Sequence, residues 1–278
     1  MIAACIIGWP VAHSRSPLIH GYWLKKYAVC GRYVRRAVPP EGIADFLAGM
    51  RAEGFVGCNV TLPHKESAYR AAARATAAAT AVAAANTLWF EGDALVADNT
   101  DGAAFIDHVR AHAPLFPGRD RPVAVLGAGG AARAVVHALL QAGACEVRLF
   151  NRTRHRADQV AAHFGARVRV GDWDERREGS RGVAALINAT SLGMAGAPAL
   201  EVDLALLEAD AIVADVVYVP LVTPLLAAAR ARGLMAVDGL GMLLHQAVPG
   251  FHKWFGVRPE VTDELRALLR QDIGGPPC

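Results

Sequence analysis

Apolar residues in this chain fall into short runs bounded by glycine, proline and small polar residues, a spacing that predicts alternating strands and helices. Residues 3–8 read as a buried strand, followed by a loop over 9–16 and a helix beginning near Pro17. A strand over 34–38, a helix over 43–53 stopped by Gly54, and a short strand over 57–61 closed by Leu62-Pro63 come next. Residues 66–85 are dominated by alanine, the strongest helix former, and predict one or two plain helices. Segments 86–90 and 94–97 flank Glu91-Gly92-Asp93, the mark of a hairpin. The pattern breaks over 114–122, where prolines predict a linker. It then sharpens: strand 123–126, a glycine-rich turn, and a helix to about residue 142. Strands at 146–150, 166–170, 183–188, 211–216 and 234–237 alternate with helices at 154–164 and 222–232. This order predicts an α/β protein whose second part is a Rossmann-type, doubly wound parallel sheet with helices on both faces.

Composition narrows the class. At 278 residues the chain suits two medium domains, and 53% hydrophobic with 20% charged residues is ordinary globular composition. A net charge of +3 gives no case for nucleic acid, although a local basic patch can still hold an anionic cofactor. Five cysteines, odd in number and without a CxxC, predict neither a disulfide framework nor a zinc knuckle and suit a reducing cytoplasm. The apolar start lacks a signal peptide's positive region and is too short to span a bilayer, and no membrane span is expected elsewhere. Ten histidines form no HExxH, so no metal is expected; His137 and His64 read as packed or surface groups, and Trp254 as packing a terminal helix.

A glycine-rich run alone is weak evidence, but Gly127-Ala128-Gly129-Gly130-Ala131 follows four apolar residues and opens an apolar helix. There a pyrophosphate can sit against unpaired helix N–H groups, with glycines admitting its approach. The end of the next strand decides which dinucleotide. NAD sites place an acid there; this chain has Asn151-Arg152-Thr153-Arg154, then Arg156, with no acid before Asp158. Guanidinium groups pair with a 2′-phosphate, and positive charge at a helix N-terminus is otherwise unfavourable, so NADP is expected over NAD.

Polar clusters mark strand ends in the first hundred residues. Ser14 and Ser16 have a simple alternative in helix capping, with Ser16 at the N-cap and Pro17 at the first helical position, and Lys65 alone reads as a surface lysine. Taken in order, however, Ser14-x-Ser16-Pro17, Asn59-x-Thr61-x-Pro63-x-Lys65, Asn86-Thr87 and Asn99-Thr100-Asp101-Gly102 resemble the substrate domain of the shikimate dehydrogenase family. The second half agrees through Gly127–Ala131, Asn151-Arg-Thr153, Asn188-Ala-Thr-Ser-Leu-Gly-Met194, Asp215-Val-Val-Tyr218, Thr223-Pro224-Leu225 and Gly239-Leu-Gly-Met-Leu-Leu-His-Gln246. Departures are His20-Gly21, where the family often has His-Asn, and Ala97, where glycine is common.

The resemblance implies NADP-dependent, reversible reduction of 3-dehydroshikimate to shikimate, a step of aromatic amino acid biosynthesis. Lys65 and Asp101 would flank the reacting hydroxyl as an acid–base pair. Ser14 and Ser16 would bind the substrate carboxylate, and Thr61, Asn86, Tyr218 and Gln246 the carboxylate or ring hydroxyls. Cofactor contacts would come from Gly127, Ala128, Gly129, Gly130, Ala131, Asn151, Arg152, Thr153, Arg154, Arg156, Thr190, Val216, Gly239 and Met242. The expected organisation is a substrate domain over 1–103, a Rossmann NADP domain over 104–237, and C-terminal helices over 238–278 returning to the first domain, with the site in the cleft. A monomer or homodimer is expected. The rivals are a quinate/shikimate dehydrogenase using NAD or both cofactors, an enzyme for an amino-substituted shikimate, and a non-catalytic binding or regulatory homologue.

Overall fold

In the computed structural model, which describes residues 1–118 and 120–274, the described residues divide into two compact units, 1–101 with 244–269 and 102–243 with 270–274. Arg119, inside the predicted linker, and residues 275–278 lie outside the described residues.

The first unit is built on β1 (Ile2–Gly8), whose run IAACIIG is buried at every position after the first, as suits a strand covered on both faces. Helix α1 (Ser16–Lys26) returns the chain to β2 (Gly31–Ala37), parallel to β1. Helix α2 (Ile43–Gly49) leads to β3 (Phe55–Val60) on the other side of β1, again parallel. The alanine-rich stretch is not continuous helix: α3 (Lys65–Ala71) and α4 (Ala77–Val82) are separated by β4 (Arg74–Ala75). The cause is non-local. The Ala73 and Thr76 N–H groups donate to Leu95 and Ala97 of a neighbouring strand, and Thr76 then caps α4 with its hydroxyl. The expected hairpin is present as β5 (Thr87–Glu91) and β6 (Ala94–Asp98). Strand order is β2-β1-β3-β5-β6-β4, a mixed sheet over a core that includes Ile7, Leu47, Met50, Val60 and Leu88.

Helix α5 (Asp101–His112) follows, where a turn is the default expectation for Asn-Thr-Asp-Gly. The second unit then runs β7 (Val123–Leu126), α6 (Gly130–Gln141), β8 (Val147–Phe150), α7 (Arg154–Phe164), β9 (Val168–Gly171), α8 (Arg176–Gly179), β10 (Ala185–Asn188), β11 (Ile212–Asp215), α9 (Pro224–Ala231) and β12 (Met235–Val237). All six strands are parallel in the order β12-β11-β10-β7-β8-β9, which reverses direction between β7 and β10. Alternate residues of β7 feed two cores, Val123 and Val125 one, Ala124 and Leu126 the other, so both faces are covered. This is the Rossmann arrangement, whose ligands bind beyond the carboxyl ends of the strands at the reversal. Helices α10 (Leu240–Phe255) and α11 (Asp263–Ile273) complete the chain. In the first unit, Trp254 of α10 is buried and its indole N–H donates to the Leu88 carbonyl at 2.9 Å.

Candidate active site

In the first unit the ends of several elements gather polar side chains that the sheet cannot satisfy. Lys65 opens α3 and its ammonium bonds the Asp101 carboxylate; the two side chains are only 13% and 6% exposed. Burying both charges is costly unless geometry and further hydrogen bonds compensate. Here Asn86 supplies them: its Nδ2 donates to Asp101 Oδ1 at 2.8 Å and to Thr100 Oγ1 at 2.9 Å, with Gln246 Oε1 at 3.2 Å. The Asn86 amide is oriented by Thr100, whose backbone N–H, a donor only, points at Asn86 Oδ1 at 2.9 Å. Thr100 also donates its hydroxyl proton to the Gln246 carbonyl at 2.8 Å. Lys65, Asp101, Asn86 and Gln246 are thus brought together, and Thr100 joins them. Its only signal in sequence was its place inside the Asn99–Gly102 run.

Ser14 and Ser16 are buried and their hydroxyls lie 3.3 Å apart, with Ser14 donating. The capping alternative does not hold as expected: Arg15 occupies the N-cap position of α1 with no side-chain cap there, and Ser14 accepts the Ser16 N–H at 3.3 Å. Arg35, which the sequence did not single out, forks onto the Ser14 carbonyl at 3.0 and 2.6 Å and fixes this loop. Thr61 follows β3 and packs its methyl group against Gly8, where a Cβ would come within 2.5 Å. His64 is buried with Nε2 2.7 Å from the Val38 carbonyl, a structural anchor immediately before Lys65.

In the second unit the loop after β7 fits an anionic dinucleotide. Gly127 has φ +111 and a Cβ there would lie 2.9 Å from the Ala189 carbonyl, so glycine is required. Gly129, by contrast, opens onto space, and it caps α6 with no side-chain hydrogen bond and no acid in the first turn. Helix α7 likewise starts without a side-chain cap or acid. Helix N-termini left without a side-chain cap, together with the helix dipole, favour phosphate. Asn151 shapes the turn by donating to the Thr153 carbonyl at 2.8 Å. Arg152 and Arg156 are exposed and have no ion pair among the described residues, whereas Arg154 is engaged by Asp172 and Asp158.

Two other predicted cofactor residues, Thr190 and Val216, lie beside a second buried carboxylate. Asp215 ends β11 and accepts from Asn188 Nδ2 at 2.9 Å, the Val217 N–H at 2.9 Å and the Thr223 hydroxyl at 2.7 Å. Burial pushes its carboxyl up to about 6, with these three donors opposing the shift. Asn188 in turn accepts from the N–H and hydroxyl of Thr190 at 3.0 and 2.7 Å. Val216 meets Gly239, where a Cβ would lie 2.5 Å from the Val216 carbonyl. Met242 is buried, and Tyr218 is half-buried in the loop after β11. Among the described residues no group of three or more His, Cys, Asp or Glu could hold a metal.

Comparison with known proteins places most of the chain. Family models match at residues 6–88 (shikimate dehydrogenase substrate binding domain), 114–195 (shikimate / quinate 5-dehydrogenase) and 239–270 (shikimate 5′-dehydrogenase C-terminal domain). A protein of Paracoccus denitrificans named shikimate dehydrogenase (NADP(+)) is 54% identical over 96% of this chain and 95% of its own length. A namesake from Rhodopseudomonas palustris (strain BisB18) is also 54% identical, over 98% of this chain and 97% of its own. Among solved structures, shikimate 5-dehydrogenase from Thermus thermophilus, in complex with NADP(H) and shikimate, superposes with a TM-score of 0.82 at 36% identity. The match covers 94% of this chain and 95% of that one.

Proposed function

The chain belongs to the shikimate dehydrogenase family, and we propose that the reaction it catalyses, the NADP-dependent interconversion of 3-dehydroshikimate and shikimate, is carried at the proton by Lys65 and Asp101. The chemistry that a bound NADP(H) would supply is hydride transfer, to the ketone or from the alcohol. The protein must then give a proton to the resulting oxygen, or remove it in the other direction. The Lys65–Asp101 pair holds that proton, and Asn86 keeps the carboxylate turned toward the ammonium. The observation that carries the reading is the burial of this ion pair among hydrogen-bonding partners instead of in solvent.

The Ser14 and Ser16 hydroxyls would bind the substrate carboxylate, and Thr61, Asn86, Gln246 and Tyr218 the carboxylate or ring hydroxyls. Residues 127–131 would cradle the pyrophosphate. Asn151, Arg152, Thr153 and Arg156 would take the 2′-phosphate, with Arg154 adding charge from its place between acids, and Thr190, Val216, Gly239 and Met242 would line the nicotinamide end. Arg152 and Arg156, exposed and without an ion pair among the described residues, support a phosphorylated ribose. We place the enzyme in the cytoplasm as a monomer or homodimer acting on a small molecule; unpaired Cys5, Cys30, Cys58 and Cys145 support a reducing compartment. No helix among the described residues is long and apolar enough to cross a membrane.

Absorbance of the reduced nicotinamide, with shikimate or quinate offered against NADP+ or NAD+, tests this directly. Reduction confined to shikimate with NADP+ is the expected result. Comparable rates with quinate or NAD+ would point to the broader quinate/shikimate subfamily, and silence in all four mixtures to a non-catalytic binding protein.

A further inference from the structure

The hydrogen bonds that end at Asp101 begin at Tyr33 in β2. Tyr33 is 8% exposed, and its ring stacks on His20 with centroids 3.9 Å apart. Its hydroxyl donates to Asn59 Oδ1 at 2.6 Å. The direction of this bond is dictated from the far side of Asn59. There Nδ2 lies 3.1 Å from the Asn86 carbonyl, which can only accept, so the amide nitrogen must face it and the amide oxygen must face Tyr33. The same Nδ2 reaches Thr87 Oγ1 at 3.2 Å. Having received that donor, the Thr87 hydroxyl gives its own proton to Asn86 Oδ1 at 3.2 Å. Asn86 Oδ1 is thereby filled by Thr87 and by the Thr100 N–H, which leaves Nδ2 turned to Asp101.

We propose that Tyr33 is a positioning residue for the reaction, acting through Asn59 and Thr87 to reinforce the orientation that the Thr100 N–H sets on the Asn86 amide, in which it donates to Asp101. This rests on the reading of Lys65 and Asp101 given above. Each link is buried: Asn59, Asn86 and Thr87 are 3%, 2% and 1% exposed, so water cannot replace a missing partner. Burial also pushes the Tyr33 phenol well above its ordinary value, which keeps it a neutral donor across the working range of pH. Without its hydroxyl, Asn59 Oδ1 loses its donor at 2.6 Å. The Asn59 side chain is then held through Nδ2 alone, and the order it imposes on Thr87 and Asn86 loosens.

Tyr33→Phe removes only the hydroxyl and keeps the stack on His20. With saturating NADP+, kcat for shikimate oxidation is expected to fall about tenfold and KM for shikimate to rise as the Asn86 contact loosens, while the affinity for NADP, read by nucleotide fluorescence, stays within about twofold. Because Tyr33 acts through Asn86, the same substitution in an Asn86→Ala background should change kcat by less than about twofold. Equal losses in both backgrounds, or a lowered melting temperature with kcat unchanged, would overturn the proposal. Should Tyr33→Phe not fold, Thr87→Val interrupts the same chain one link later and is judged by the same cycle. An unmutated protein that turns over no shikimate would instead remove the functional reading, and this proposal with it.

Discussion

Two buried carboxylates, one in each unit, are built with nearly the same vocabulary. Asp101 and Asp215 are 4% and 2% exposed. Each receives an asparagine amide, Asn86 at 2.8 Å and Asn188 at 2.9 Å. Each asparagine is fixed by the backbone N–H of a threonine, Thr100 or Thr190. The difference is the remaining oxygen. On Asp101 it meets the Lys65 ammonium; on Asp215 it meets the Thr223 hydroxyl. A hydroxyl satisfies a carboxylate but brings no charge, and burial pushes Asp215 up to about 6. An ammonium brings a charge and a transferable proton. The same scaffold of amide and threonine thus serves a proton-handling pair in one unit and a loop-fastening knot in the other.

Removing the ammonium is the severest way to break that contrast. Lys65→Ala should lower kcat by about 10²–10⁴-fold, the range typical of general acid–base catalysis, while NADP affinity is retained. Steady-state rates and a nucleotide titration check it, and undiminished turnover would make the two carboxylates equivalent. Asp215→Asn is the matched change. Because the native carboxyl titrates near 6 and the unfolded one near 3.8, the folded state binds more protons between those values. Stability must therefore fall as pH rises through that window, by at most ~3 kcal/mol, and stay level above it. The asparagine variant should lose this slope and keep kcat within a few-fold at neutral pH. Urea melts at several pH values read the slope; a large loss of kcat would give Asp215 a chemical role.

The contrast was only half legible in the sequence. Apolar runs marked β1, β7, β10 and β11 closely, because a strand covered on both faces must be apolar throughout. Asp101 and Lys65 stood out because they sit in strings of polar residues at strand ends. Helix α5 was hidden behind its opening Asp-Gly, which by local chemistry signals a turn. Gly102 is there because α6 passes close by, and a Cβ would lie 2.6 Å from the Ala134 carbonyl. The strand β4 was hidden for the same kind of reason, its partner being 22 residues away. Asn188, Asp215 and Thr223 each lay in a recognised motif, yet nothing local shows that one carboxylate gathers the other two. Tyr33 and Arg35 carried no signal, since an edge strand uses tyrosine and arginine freely.

The smallest of these effects isolates the one atom that differs. Thr223 accepts the Leu226 N–H at 3.3 Å as the cap of α9 and donates to Asp215 at 2.7 Å. Thr223→Val keeps the shape and removes both bonds. Loss of the cap costs about 1 kcal/mol whatever the pH. The bond to Asp215 is charge-assisted only while the carboxyl is ionised, above about 6, so its share should fade as pH drops through that value. The cost measured at pH 7 should therefore exceed that at pH 5, and Thr223→Ser should restore both parts. A cost independent of pH would mean that the hydroxyl serves α9 alone, and that Asp215 is held by Asn188 and the Val217 N–H without it.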